Sequence, residues 1–165
     1  MKTTLKLIDY QGELPSWLES LTLGSAYEFI KGDSPSSIPF VVWLLENPDS
    51  LLVLPGKIKL RDHDCLHLLL NKGFSLSDEA FVIGFTLGND IQTNKLHLSI
   101  FKIVSLFFYP REYRFCLQHL KILDLGFKYG KCSPIKNFNK INFQVYFSKT
   151  IAEIRLELGI KILKF

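Results

Sequence analysis

The segment 78–88 constrains the fold of this chain more than any other, because its residues are apolar on nearly every side of a helix. A helix without a polar face must be buried among other elements. The spacing Gly84-x-x-x-Gly88 also lets the backbone of another helix approach closely. These features predict a buried helix in a protein built from packed helices.

A second segment, 94–109, has a similar composition and is expected to pack in the same way. Its apolar residues form two adjacent stripes at helical spacing: Leu96, Ile100, Ile103 and Phe107, with Phe101, Val104 and Phe108 beside them. Little polar face is left on this helix.

Proline and capping signals predict four further helices. They cover 15–31, 40–46, 111–125 and a C-terminal segment after Thr150-x-x-Glu153, which is typical of a capping box. Asp124, Gly126 and Gly130 are expected to loosen the end of the third. We therefore predict an all-α fold, a single compact multi-helix domain over 1–165, because this length suits one hydrophobic core. A small N-terminal hairpin or extended segment, from 5–8 and 51–54, stays an alternative.

The hydrophobic content and the first ten residues indicate what kind of surface the protein has and in which compartment it is expected. Hydrophobic residues make up 47% of the chain and the mean hydropathy is +0.16, so some apolar surface is expected to be exposed. No apolar run reaches the roughly 18 to 20 residues that cross a bilayer. The first ten residues include Asp9 and lack a long apolar core, unlike a secretory signal or transit peptide. The cytoplasm is the expected compartment.

Charge divides the chain into two halves. Residues 1–90 contain seven Lys/Arg and twelve Asp/Glu, whereas 91–165 contain thirteen and four. The basic half could contact anionic lipid headgroups, an acidic partner or nucleic acid. Its basic residues are scattered among Phe, Leu and Ile and form no run, which favours lipid over nucleic acid. A solvated polar face on amphipathic helices is the alternative explanation.

The residues that point to chemistry are His63, Asp64, His67 and Glu79. On a helix, His63 and His67 lie four residues apart and on one face, with Asp64 flanking the same stripe. Two imidazoles plus carboxylates suit zinc or iron, and such a site leaves a coordination position for water or substrate. The alternative is that the histidines are ordinary surface or capping residues and that Glu79 only favours a helix N-terminus.

Local signals place these residues on two neighbouring helices. Asp62 is a candidate N-cap for a helix over 63–72, and Gly73 is a candidate residue to end it. Ser75 with Asp78, or Ser77 alone, is expected to cap a second helix that has Glu79 in its first turn. The intervening loop would then fold Glu79 back towards the histidines.

The cysteines are not expected to bind the metal. Cys65, Cys116 and Cys132 show no Cys-x-x-Cys spacing, which argues against a disulfide framework or a thiolate zinc site. Cys65 lies within the motif but points to another side of the helix, so packing is its expected role.

Several enzyme classes do not fit the sequence. Metal-dependent phosphohydrolases of the His-Asp type need a further upstream histidine, and residues 1–62 contain none. Zinc metalloproteases carry His-Glu-x-x-His, and Asp64 is one methylene shorter than that glutamate. His97 and His119 lie in apolar helical patterns and are expected to be core or boundary residues. No Gly-rich phosphate loop is evident.

The motif resembles the hallmark of the Coq-four family of ubiquinone biosynthesis proteins, His-Asp-x-x-His followed after eleven residues by Glu. Here it stands as HDCLH at 63–67 and then Glu79, and the similarity extends from about residue 22 to about 160. The resemblance implies an all-helical fold and a divalent metal held by His63, Asp64, His67 and Glu79, with zinc expected first and iron or magnesium as alternatives.

The same resemblance implies a lipidic partner and a membrane context. It implies an isoprenoid lipid or prenyl-quinone precursor as ligand, peripheral membrane association, and contact with quinone-biosynthesis enzymes. Members of the family are implicated in replacing a ring carboxyl by hydroxyl, an oxidative decarboxylation. The chain is shorter than typical eukaryotic members and has no mitochondrial leader, which suggests a bacterial homologue.

Two functional hypotheses follow. The first is a metal-dependent protein that presents a prenyl-quinone precursor, held between the apolar helices of 78–108, for modification of its ring. The second is a non-catalytic lipid-binding or scaffolding module of a biosynthetic complex. Exposed apolar faces would suit either a membrane surface or a homodimer. Neither hypothesis identifies a catalytic residue.

Overall fold

The structure is a computed structural model that describes residues 13–30 and 54–163. The helix predicted over 40–46 lies outside these residues. The same holds for the predicted hairpin between 5–8 and 51–54, of which only Leu54 is described.

Six α-helices and four short 3-10 helices make up the described part of the chain. The α-helices are α1 (Leu23–Glu28), α2 (Leu60–Leu70), α3 (Leu76–Asn89), α4 (Lys95–Phe107), α5 (Leu117–Cys132) and α6 (Ile151–Leu158). The 3-10 helices are Ser16–Ser20, Arg111–Tyr113, Phe138–Lys140 and Phe143–Tyr146. The described residues contain no strand, and an isolated antiparallel bridge joins Thr22 to Thr150. The predicted all-α, compact, single-domain fold is confirmed.

The helices α3 and α5 pack backbone against backbone. A Cβ atom at Gly84 would overlap the carbonyl of Leu123, and one at Gly88 would overlap that of Phe127. Four residues further along α3, from Gly84 to Gly88, the contact on α5 also moves four residues forward, from Leu123 to Phe127. The two helices therefore run parallel. The close approach predicted at Gly84 and Gly88 is confirmed.

The other half of this contact comes from Gly126 and Gly130 of α5. A Cβ atom at either position would overlap a carbonyl of α3, from Phe81 and Phe85 respectively. The expectation that these glycines loosen the helix end is wrong, because α5 continues to Cys132. The backbone of α3 packs too closely against them to leave room for a side chain.

The helix α3 is buried on two sides, as its all-round apolar sequence predicts. Phe81 and Phe85 belong to one hydrophobic cluster, with residues of α1, α2 and α6. Ala80, Ile83 and Leu87 belong to a second cluster, with residues of α4 and α5. The helix thus joins the two parts of the core.

The helix α4 does not follow the prediction of burial. Its buried residues are Phe101 and Ser105, whereas Leu96 is 65% exposed, Ile103 53% and Phe107 66%. An apolar stripe of α4 therefore faces outward.

Two other predicted boundaries differ from the structure. The helix predicted over 15–31 is a 3-10 turn followed by α1, because Leu21 adopts an extended backbone between them. The helix predicted over 111–125 is a 3-10 turn at Arg111–Tyr113 and then α5, which begins at Leu117. The capping box of Thr150 and Glu153 is confirmed at the start of α6.

Candidate metal centre

The helix α2 carries both candidate histidines, but its ends differ from the predicted ones. Its N-cap is Lys59, and Asp62 lies within the first turn, where its Oδ1 accepts a hydrogen bond from the backbone N–H of Phe143 at 3.1 Å. The helix ends because Asn71 adopts the left-handed conformation, with φ 57°. Asn71 therefore has the role predicted for Gly73.

The start of α3 places Glu79 opposite α2. Ser75 accepts a hydrogen bond from the backbone N–H of Asp78, and the Asp78 carboxylate accepts from the N–H of Ser75. This is the capping box that the sequence predicts. It fixes Glu79 in the first turn of α3, four residues after the cap.

His63, His67 and Glu79 meet at one point. His63 Nε2 lies 3.6 Å from Glu79 Oε2, and His67 Nε2 lies 3.3 Å from Glu79 Oε1. One ligand atom from each of the three residues lies within 4.8 Å of the other two. Each carboxylate oxygen thus faces one imidazole, in a group that can hold a metal ion.

A hydrogen bond to the backbone sets the orientation of His67. Its Nδ1 lies 2.6 Å from the carbonyl oxygen of Gly73, which can only accept, so Nδ1 carries the proton. In the neutral ring, Nε2 then presents a lone pair towards Glu79. The ring is fully buried and stacks on Phe74 with a centroid separation of 4.6 Å. A backbone partner on the second nitrogen is typical of metal-binding histidines.

The Glu79 carboxylate is the polar group that two buried nitrogens face at this point. The Nε2 atoms of His63 and His67 are buried, and neither makes a hydrogen bond of normal geometry within the described residues. Buried polar atoms without such a bond are rare in folded proteins. A cation between them and Glu79 would satisfy both lone pairs and the carboxylate. Two imidazoles and one carboxylate are a ligand set used by zinc, with a position left open.

Burial and the contacts with Glu79 shift the pKa values of the three groups in different directions. Burial lowers the pKa of His63 to about 4, although Glu79 opposes the effect, so the ring is neutral at pH 7. Burial also acts to lower the pKa of His67, but Glu79 and the Gly73 carbonyl outweigh it and raise the value. Burial acts to raise the pKa of Glu79, and the two imidazoles reverse this and lower it. Glu79 is therefore ionised.

Asp64 lies beside this group and not within it. Its side chain is buried, but it is not among the residues whose ligand atoms lie within 4.8 Å of one another. The negative charge of Asp64 also raises the pKa of His67, but it contributes less than Glu79 does. The role of Asp64 as a fourth ligand stays a prediction.

Cys65 is excluded from the site by its surroundings. It is fully buried in the hydrophobic core. Burial, with Asp62 and Asp64, raises its pKa to about 12, so the side chain stays a thiol and is a poor metal ligand. Packing is the role that the sequence predicts for it.

His97 and His119 are half-buried residues at helix starts, which agrees with the expectation of core or boundary positions. Each Nδ1 accepts a hydrogen bond from the N-cap backbone, of Asn94 at 3.3 Å and of Cys116 at 3.1 Å. Their position three residues after the N-cap is the sequence signal for this role. Neither belongs to the group of His63, His67 and Glu79.

Arg155 of α6 is a positioning residue that the sequence did not indicate. Its guanidinium donates to the carbonyls of Leu68 and Leu69, each at 2.9 Å, and to Glu19 Oε1 at 2.6 Å. Leu68 and Leu69 lie in the last turn of α2, directly after His67. The helix dipole favours a cation at this end of a helix. Arg155 therefore holds the helix that carries the histidines.

Comparison with known proteins returns no relative. No family model matches the chain, and no curated protein or solved structure matches it either. Within the described residues, none of the helices is both long and apolar enough to cross a membrane.

Proposed function

We propose that this protein binds a divalent metal ion, zinc in the first place, through His63, His67 and Glu79. The observation that carries the proposal is the pair of buried Nε2 atoms that face one carboxylate and make no hydrogen bond of normal geometry. Iron and magnesium are the alternatives, and the two imidazoles favour zinc or iron over magnesium. Asp64, the fourth ligand that the resemblance implies, lies outside this group of three.

The arrangement is suited to a ligand-binding metal centre. Three protein ligands leave a position at the metal for water or substrate, where the bound ion would act as a Lewis acid. The side chain of Glu79 is 29% exposed and that of His63 13%, so solvent reaches the edge of the group, whereas the two Nε2 atoms themselves are buried. His67 is held from behind by Gly73 and Phe74.

We further propose that the ligand is an isoprenoid lipid or a prenyl-quinone precursor, presented at the metal for ring modification. The support is the resemblance of the motif to the Coq-four family and an apolar recess that His63 lines. Ile83 and Leu87 of α3 and Phe101 of α4 line the same recess. In this proposal the metal centre receives the head of the ligand.

A non-catalytic lipid-binding or scaffolding module of a quinone-biosynthesis complex is the second candidate. The exposed apolar stripe of α4 favours it, because such a face suits association with a membrane surface or another protein. Metal binding would then stabilise the fold.

Metal content tests the first proposal directly. Protein purified without chelators is expected to contain about one zinc ion per chain, measured by plasma mass spectrometry. The double variant His63→Ala and His67→Ala is expected to lose it, and Glu79→Gln to weaken zinc binding by about tenfold or more. His97→Ala is the matched control, because that histidine lies outside the site. A wild-type protein that binds no divalent metal, or a double variant that keeps it, contradicts the proposal.

A further inference from the structure

The end of α2 is a tight turn that comes back to His67. The backbone N–H of Lys72 donates to the carbonyl of His67 at 2.9 Å, and that of Asn71 donates to the carbonyl of Leu68 at 3.3 Å. With Asn71 in the left-handed conformation, this pair of bonds is a Schellman motif. The next residue, Gly73, places its carbonyl oxygen 2.6 Å from His67 Nδ1. The turn therefore supplies the partner that orients the His67 ring.

Two carbonyls at this helix end accept hydrogen bonds from the side chain of Arg155. Its Nε donates to the carbonyl of Leu69 and its Nη2 to that of Leu68, each at 2.9 Å. Its Nη1 donates to Glu19 Oε1 at 2.6 Å, and the residue is only 7% exposed. A guanidinium holds its donors in a rigid planar fork, so three bonds leave it little freedom to move. Arg155 thus ties the last turn of α2 to α6.

The carbonyl of Leu68 connects the turn to Arg155. It accepts one bond from the N–H of Asn71 and another from the guanidinium. A carbonyl oxygen has two lone pairs, so both bonds form at once. The bond from Asn71 is long for an N–H donor, whereas the bond from Arg155 has the usual length and a charged donor. Removal of the guanidinium would therefore let this carbonyl move, and with it the turn that carries Gly73.

We infer that Arg155 controls the affinity of the metal centre, because it holds the turn whose Gly73 carbonyl orients His67. The inference rests on the proposed metal function and adds a positioning residue that lies outside the set of metal ligands. Removal of a group that orients a metal-binding histidine typically weakens metal binding by about 10- to 100-fold. Arg155 acts on His67 through the turn, so we expect an effect at the lower end of this range.

Arg155→Met tests the inference by two measurements. Exchange of the His67 Nδ1 proton with solvent, followed by NMR in the metal-free protein, is expected to become about tenfold faster or more, because its bond to Gly73 opens more often. Zinc affinity, measured by chelator competition, is expected to fall about tenfold. Arg155→Lys keeps the charge but not the fork of donors, and is expected to change both quantities in the same direction by about threefold.

Ile154→Val is the matched control. Ile154 is fully buried on the same helix and precedes Arg155, so its truncation lowers the free energy of unfolding but removes no donor from the carbonyls of α2. Proton exchange at His67 and zinc affinity are expected to stay at their wild-type values in this variant.

Wild-type proton exchange and zinc affinity in Arg155→Met overturn the inference alone. If that variant does not fold, the same result in Arg155→Lys overturns it. Equal changes in Ile154→Val also overturn it, because loss of stability would then be a sufficient cause. A wild-type protein that binds no zinc overturns the proposed metal function instead, and the proton exchange still decides whether Arg155 positions His67.

Discussion

At the scale of single residues, the carbonyl of Gly73 decides what His67 can do. It accepts the Nδ1 proton at 2.6 Å and leaves Nε2 to face Glu79. The reverse tautomer would place a proton where the metal is expected. A residue six positions along the chain thus selects the tautomer that is able to bind metal.

The pH dependence of zinc affinity follows from this geometry. Glu79 raises the pKa of His67 against the opposing effect of burial, so in the metal-free protein a proton competes with zinc for Nε2. His63, whose pKa is about 4, stays neutral and does not compete above that pH. Zinc affinity is therefore expected to fall as pH decreases through the pKa of His67, and below that pKa about one proton is released from His67 per ion bound.

Chelator competition between about pH 8 and about pH 5 measures this effect. In Glu79→Gln, the pKa of His67 is expected to decrease, because the charge that raises it is gone. Imidazole signals in NMR titrations report that change. Zinc affinity that does not change with pH would contradict the assignment of His67 as a ligand.

At the scale of elements, the contact of α3 with α5 holds the start of α3 in place. Each helix has two glycines four residues apart, and each pair receives carbonyls of the other helix. Since Glu79 lies in the first turn of α3, a shift of this helix would move the carboxylate away from the imidazoles.

Gly88→Ala tests the contact. The added Cβ atom would overlap the backbone of Phe127, which cannot rotate away as a side chain can. We expect a loss of about 1–3 kcal/mol in the free energy of unfolding, measured by urea denaturation of the metal-free protein. Gln118→Ala, at an exposed position of α5, is the control and is expected to change little. An unchanged midpoint in Gly88→Ala would show that the helices lie further apart.

At the scale of the whole molecule, α4 exposes an apolar stripe, and the second half of the chain has a basic composition. Leu96, Ile103 and Phe107 are more than half exposed. Thirteen Lys/Arg against four Asp/Glu in 91–165 would attract an anionic lipid surface. We propose a membrane surface as the occupant of this stripe, in line with the peripheral association that the family resemblance implies.

Vesicle co-sedimentation tests this surface. The double variant Ile103→Asp and Phe107→Asp is expected to bind vesicles containing phosphatidylserine about tenfold or more weakly, because two apolar side chains no longer enter the interface. Its thermal unfolding should stay close to that of the wild type, since both positions are exposed. Leu156→Asp is the control, at an 86% exposed position of α6.

Vesicle binding by the double variant at wild-type strength would contradict the membrane assignment. A wild-type dimer in sedimentation analysis that this variant loses would instead identify the stripe as an interface between two copies.

The sequence by itself determined the features that depend on residues within about one helical turn. These include the placement of His63 and His67 on one face, the capping boxes of Ser75 and Thr150, and the all-round apolar character of α3. Helix periodicity and caps involve only near neighbours, so local pattern is sufficient for them.

Tertiary structure alone decided which of two similar apolar helices is buried. The helix α3 lies against α5, whereas α4 keeps an exposed stripe that no element of 13–30 or 54–163 covers. It also paired Gly84 and Gly88 with Gly126 and Gly130, and brought Arg155 to the end of α2, 86 or more residues away in sequence. Distances of a few ångströms between Glu79 and the two imidazoles depend on how the helices pack. That packing is set by contacts between residues far apart in the chain, which the local sequence pattern does not specify.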